Sequence, residues 1–323
     1  MDDVMPFLEN VLWGRNVPPE RMREVARHYE LFGGVSPING QNRALIAALE
    51  AELRARGPAL PIYWGNRNWH PMLADTLRHM ARDGRKRALA FVTSAFSSYS
   101  GCRQYREDVE HARAEAGPNA PEVEILRRFY NHPGFVEANA EAIRQALARL
   151  PEERRGSARL VFTAHSIPLA MAEGSEYEDQ LRDTAGLVAK AVGREADWDL
   201  AYQSRSGPPG QPWLEPDVKD HLIALSDRGV QDVVISPVGF VSDHMEVVYD
   251  LDMDAKEHCQ EIGLSMVRAS TAGTHPAFVS MIRELILERT AGSERRALGE
   301  RGPRADRCPE GCCPAPPARP GRG

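Results

Sequence analysis

Glu246, Asp250 and Asp254 recur at i, i+4 and i+8 within VSDHMEVVYDLDMDAKE, residues 241–257. On an α-helix that spacing stacks three carboxylates along one face. Like charges at i, i+4 destabilise a helix by a few tenths of a kcal/mol per pair, so the stripe calls for a compensating cation. A hard divalent ion such as hydrated Fe2+ or Mg2+ suits it, because carboxylate oxygen is the ligand such ions prefer. A solvated acidic face satisfies the same spacing. Context has to decide.

His165 supplies some of that context. It lies in FTAHSIP, directly after a β-type run ending at Ala164, and Pro168 stiffens the loop beyond it. A histidine leaving a strand can present a ring nitrogen to a cleft as base or metal ligand. A structural histidine is the competing reading. Ser36, in LFGGVSPINGQNRAL, has a hydroxyl able to donate to a ligand carboxylate, whereas Arg205 and Trp213, in a Pro- and Gly-rich loop, read as scaffolding.

Three thiols crowd the tail as Cys308-x3-Cys312-Cys313. With one more from the body they could complete a tetrathiolate iron–sulfur or zinc site, and incidental thiols on a disordered tail are the alternative. Cys259 shares a helix with the acidic stripe and reads as a buried structural thiol. Cys102, in the loop FSSYSGCRQYRED, is the better fourth ligand.

The elements that must position these residues are set by periodicity. Strands are expected at 61–64, 88–93, 123–126, 160–164, 200–203, 232–236 and 264–268. Helices are expected at 19–31, 41–56, 71–83, 103–116, 136–150, 177–192, 216–228, 244–262 and 276–288. That alternation predicts βαβ units and parallel sheets, whose ligand sites lie beyond the carboxyl ends of the strands. Gly65-Asn66-Arg67, His165-Ser166, Gln203-Ser204-Arg205 and Pro237-Val238-Gly239 all fall at such ends. They point to one shared cleft.

Composition narrows the classes. The 323 residues suit two domains or one large one, and a net charge of −6 argues against a general nucleic-acid binder. No apolar run reaches the roughly 18 residues needed to span a bilayer, and MDDVMPFLEN does not read as a signal peptide. A cytoplasmic address is expected, with peripheral membrane contact left open. From about Ala291 the chain turns charged and poor in apolar residues, and it ends in PAPPARPGRG, so a linker and a flexible tail are expected.

Five stretches occur in order: GGVSPIN (33–39), YWGNRNWHPML (63–73), FTAHSIP (162–168), YQSRSGP…WLEPD (202–217) and SPVGFVSDHMEVVYDLD (236–252). Together they resemble the ferrochelatase family, which inserts ferrous iron into a porphyrin, and the similarity extends through Leu287. The resemblance implies an α/β fold with two Rossmann-like domains, parallel sheets and a cleft between them. Residues 1–97 with 270–290 would form the first domain, 98–269 the second with His165 and Glu246, and 291–323 a flexible linker and Cys-rich tail. It implies that His165 and Glu246 are the paired active-site residues and that Asp250 and Asp254 form an acidic ladder toward them. Ser36, Tyr105, Tyr29 and Arg15 match positions that contact the porphyrin. Cys102, Cys308, Cys312 and Cys313 match the ligands of a [2Fe–2S] cluster, while Fe2+ is a substrate.

The wording of the motifs resembles the actinobacterial kind, which implies coproporphyrin III as substrate and a downstream coprohaem-processing enzyme as partner. Protoporphyrin IX is the alternative substrate. A class II cobalt or nickel chelatase, or a non-catalytic haem- or metal-binding carrier, are the alternative functions. Glu246 facing His165, in place of a histidine pair, favours iron. Two departures from the family pattern stand out. Its members carry a first strand and a Gly-Gly-Pro-like loop before the segment matching MDDVMPFLENV, so an upstream start, or else exposed strand edges in the first half, is expected. Trp13 stands where relatives often have arginine near the propionates.

Overall fold

The computed structural model describes residues 3–11, 19–207 and 210–315. From β1 onward helices and strands alternate as the periodicity requires. Helices α1 (Val4–Val11), α2 (Pro19–Leu31), α3 (Ile38–Arg56) and α4 (Leu73–Arg82) lead into strand β1 (Arg87–Ala90). A π-helical turn, Tyr99–Arg103, runs into α5 (Gln104–Ala116), followed by β2 (Glu122–Ile125), α6 (Pro133–Ala148) and α7 (Glu152–Arg155). Then come β3 (Arg159–His165), α8 (Leu169–Glu173), α9 (Tyr177–Ala191), β4 (Trp198–Gln203), α10 (Val218–Asp227) and β5 (Asp232–Ser236). Helix α11 (Met245–Val247), a π-helical stretch (Val248–Ala255), α12 (Lys256–Glu261), β6 (Ser265–Arg268) and α13 (Pro276–Thr290) complete it.

Among the described residues there are two sheets, both parallel: β1-β2, and β4-β3-β5-β6. Five consecutive residues of β3 and all five of β5 are buried, which is why RLVFTAH and DVVIS read as nearly unbroken apolar runs. Central parallel strands are covered on both faces, so neither side of the pleat meets water. One apolar cluster joins β3 and β4 to α6, α9 and α13 through Phe129, Phe135, Phe162, Leu181 and Phe278, and continues to Leu49 and Leu53 of α3. A second, around Val161, Leu222, Ile235, Leu251 and Cys259, fills the opposite face of the larger sheet.

Three expectations need correction. Residues 61–64 form no strand, since among the described residues they have no ladder partner and extended backbone alone is not a sheet. The pairing of β2 with β1 brings 122–125 into the first sheet, whereas the resemblance put all of 98–269 in the second domain. The segment after Ala291 has no regular secondary structure through Ala315, but it is held to the body. Leu298 N donates to Asn131 O at 2.8 Å, Asn131 Nδ2 donates to Gly302 O at 2.8 Å, and Arg304 pairs with Glu176 at 2.5 Å. Arginines paired with body carboxylates do what apolar burial could not.

Candidate active site

The carboxyl ends of the strands converge on a cavity of about 3150 Å³ that is lined from both halves of the chain. That is several times the usual size of a small-ligand pocket, roughly 300–1,000 Å³, and leaves room for a large macrocycle. His165 is the last residue of β3 and faces this space. Its ring Nδ1 contacts Ser166 O, and a carbonyl can only accept, so Nδ1 carries the hydrogen. In the neutral ring Nε2 then carries the lone pair. This is the arrangement by which a histidine is fixed as base or metal ligand. Tyr177 Oη donates to His165 O at 3.0 Å and steadies the backbone.

Glu246 lies at the start of α11, with its Oε2 3.9 Å from His165 Nε2. The loop that brings it there must pass very close to β3. A Cβ on Gly239 would stand 2.6 Å from Ala164 Cα, and Gly239 N donates to Thr163 O at 3.0 Å. Only glycine permits that approach. Tyr29 shares the cavity, and burial followed by the Glu246 charge pushes its phenol up to about 12.

The acidic stripe does not form the straight row expected of an α-helix. Val248–Ala255 is π-helical, and its wider i→i+5 turn rotates successive side chains away from one another. Asp250 still lines the cavity. Burial, and secondarily Glu246, raises its carboxyl to about 6 against the hydrogen bonds of Ser204 and Gln203, so it can exchange a proton near neutral pH. Ser204 Oγ donates to Asp250 Oδ2, and Gln203 Nε2 does so at 3.3 Å. Ser204 takes a left-handed φ of 61° to make this contact at the end of β4. Asp254 falls outside the cavity lining and pairs with Lys219 at 2.8 Å.

Ser36, Tyr29 and Tyr105 also line the cavity, while Arg15 and Trp13 lie outside the described residues. Some contacts among the lining residues carried no signal in the sequence. The ring of His28 stacks on Tyr249 at 3.7 Å, and the Arg67 guanidinium lies 4.2 Å above the Tyr105 ring. These partners are distant in sequence, so no spacing could reveal them. Burial lowers the pKa of His244. Gln41 of α3 exchanges two hydrogen bonds with the backbone of Asp243, at 2.8 and 2.7 Å, tying the two walls together.

The tail thiols reach the body. Cys102 sits buried in the π-helical turn, within hydrogen-bonding reach of Cys308 and Cys313, and Cys312 Sγ is 3.4 Å from Cys313 Sγ. Donation from those two thiols, aided by the Arg128 cation, favours the thiolate at Cys102, while the same contacts push Cys308 and Cys313 up. Cys259 is packed in the second apolar cluster, where burial raises it to about 11. Among the described residues, no three or more His, Cys, Asp or Glu side chains already surround one point in metal-ligating geometry.

Comparison with known proteins agrees with this geometry. The sequence profile of the family described as Ferrochelatase matches residues 1–290. The chain is 58% identical to the ferrochelatase of Rhodopirellula baltica, over 99% of this chain and 91% of that one. It is 55% identical to the coproporphyrin III ferrochelatase of Nocardia farcinica, over 99% and 94% of the two chains. Among solved structures it resembles SirB from Bacillus subtilis with Fe3+, at a TM-score of 0.52 and 13% identity over 78% of this chain and 90% of that one. That likeness speaks for the chelatase-like fold alone. The two parallel sheets, the shared cavity and identity above one half over nearly full length make this chain a member of the ferrochelatase family.

Proposed function

We propose that this chain inserts Fe2+ into coproporphyrin III to give coprohaem, a step of haem biosynthesis. The observation that carries the reading is His165 Nε2, free to accept, 3.9 Å from Glu246 Oε2 inside a cavity large enough for a tetrapyrrole. Insertion exchanges two pyrrole protons for one Fe2+, so the site must take up protons and strip water from the ion. The imidazole lone pair accepts the pyrrole protons one at a time, releasing the first to solvent before it takes the second. The Glu246 carboxylate replaces water on the hard cation and hands it to the ring. Asp250, Ser36, Tyr29 and Tyr105 line the same cavity, where the last three would contact the macrocycle. The preference for coproporphyrin III is supported by the relatives of that name, 55% identical in Nocardia farcinica and 51% in Streptomyces coelicolor.

Cys102, Cys308, Cys312 and Cys313 are proposed to hold a [2Fe–2S] cluster. Their donor chemistry fits: Cys102 lies within hydrogen-bonding reach of Cys308 and Cys313 and beside Arg128, and Cys312 Sγ is 3.4 Å from Cys313 Sγ. When bound, the cluster supplies a one-electron redox centre. Free thiols suit a reducing cytoplasm, and no described helix is long and apolar enough to cross a membrane. The product would pass to a downstream coprohaem-processing enzyme. Leu31 and Val35, 60% and 67% exposed beside the cavity, offer an apolar surface for such a contact or for peripheral attachment to a membrane.

Anaerobic steady-state assays with the two porphyrins side by side test the substrate. The kcat/KM for coproporphyrin III should exceed that for protoporphyrin IX by about tenfold or more, the effect of one or two lost charge-assisted contacts to carboxylates. Equal values, or a preference for protoporphyrin IX, would contradict the assignment.

A further inference from the structure

Glu246 stands on the three-residue helix α11, which follows an irregular loop and runs on into the π-helical stretch. Arg268, the last residue of β6, anchors both. Its Nε and Nη2 donate to the two carboxylate oxygens of Asp252 at 2.6 and 2.7 Å. Its Nη1 donates to Asp243 Oδ1 at 2.8 Å and to Ala269 O at 3.2 Å. The Arg268 carbonyl in turn accepts from Arg149. One guanidinium therefore holds the residue three before Glu246 and the residue two after Asp250.

Helix geometry gives this clamp a direction. Each residue turns the chain by about 100° in an α-helix and somewhat less in a π-helix, so residues two apart lie on nearly opposite faces. With Asp252 fixed at the end of β6, Asp250 is turned to the other side of the helix, where it lines the cavity. Asp243 is also fixed from the other wall. Its N–H donates to Gln41 Oε1 at 2.7 Å, and its carbonyl accepts from Gln41 Nε2 at 2.8 Å. The side chains of Arg268, Asp243 and Asp252 are 18%, 24% and 35% exposed, so water screens these contacts less than an open surface pair. A forked guanidinium–carboxylate pair fixes direction as well as distance.

We propose that Arg268 is a positioning residue of the active site, holding Glu246 against His165 and Asp250 in the cavity wall by tying the loop before α11 and the π-helical stretch to the end of β6. The proposal rests on the iron-insertion reading and adds a residue to it. Arg268, Asp243 and Asp252 lie outside the cavity lining, so the clamp touches neither the macrocycle nor the ion. It acts through Glu246 and Asp250. Its loss therefore lowers turnover and leaves porphyrin binding in place.

The test uses the full chain with Arg268→Met and Asp252→Asn, assayed anaerobically at saturating Fe2+. In Arg268→Met kcat should fall about ten- to a hundredfold, the cost of displacing a reacting group by about 1 Å. The Kd for coproporphyrin III, read by fluorescence quenching, should stay at the wild-type value. Asp252→Asn removes the fork's charge at the most exposed of the three side chains and should lower kcat in the same direction. It decides the matter if Arg268→Met does not fold. A wild-type kcat in either folded variant would overturn the proposal, as would a fall in kcat matched by an equal loss of porphyrin affinity. Hydrogen exchange gives a reading independent of insertion. Amides of 243–255 should exchange about tenfold faster in Asp252→Asn than in the wild type while those of β3 stay protected, and equal exchange overturns the clamp. A wild-type protein that shows this protection but inserts no iron would instead defeat the functional reading.

Discussion

His165→Ala should lower the rate of iron insertion by about 10²- to 10⁴-fold while the chain still binds coproporphyrin III. The imidazole is fixed at the end of β3, with its Nδ1 held at Ser166 O and its backbone steadied by Tyr177. Alanine removes the proton acceptor and leaves the cavity walls in place. Glu246→Gln keeps the size of the side chain and removes the negative charge that would meet the ion, so it should act in the same direction. Porphyrin binding, read by quenching of protein fluorescence, should change little in either variant. A carrier with no catalytic role would tolerate both substitutions, and near-normal insertion rates in both would refute the assignment of this pair.

Cys102→Ser should abolish the visible charge-transfer absorption of a brown, anaerobically purified protein. The same substitution should loosen the tail. Cys102 is where the tail thiols meet the body, and Pro314 beyond them packs against Gly174 of the α8 end. Without the thiol, the part of the strap beyond its hydrogen bonds to Asn131 is left with half-exposed ion pairs such as Arg304–Glu176, which are worth about 1 kcal/mol or less each. Trypsin should then cleave between Arg295 and Arg307 at least several-fold faster than in the wild type. A colourless wild-type protein containing tightly bound zinc, or equal cleavage rates for both proteins, would count against the cluster.

Much of the larger sheet was legible because its strands are buried on both faces. Runs such as LVFTA and DVVIS fit a central parallel strand and little else, and the histidine at the end of the first already marked the site. The turn ends at Gln203 and Gly239 were legible for the same reason. Other features depend on partners that a linear reading cannot see. YW at 63–64 has strong β propensity but no ladder partner among the described residues, so it stays irregular. The π-helical stretch at Val248–Ala255 leaves no periodic signature, yet it decides that Asp250 faces the cavity and Asp254 faces Lys219. The His28–Tyr249 stack and the Arg67–Tyr105 contact join residues far apart in the chain. The tail has too few apolar residues to order itself by burial, and its arginines instead find carboxylates on the body.

Transfer of iron to a porphyrin is the central claim, and an anaerobic single-turnover experiment tests it most directly. The wild-type protein and coproporphyrin III are mixed with one equivalent of Fe2+, and the Soret band is followed. Porphyrin fluorescence should disappear and a coprohaem spectrum should form many-fold faster than without protein. A porphyrin that binds, stays fluorescent and remains metal-free at the uncatalysed rate would contradict that claim.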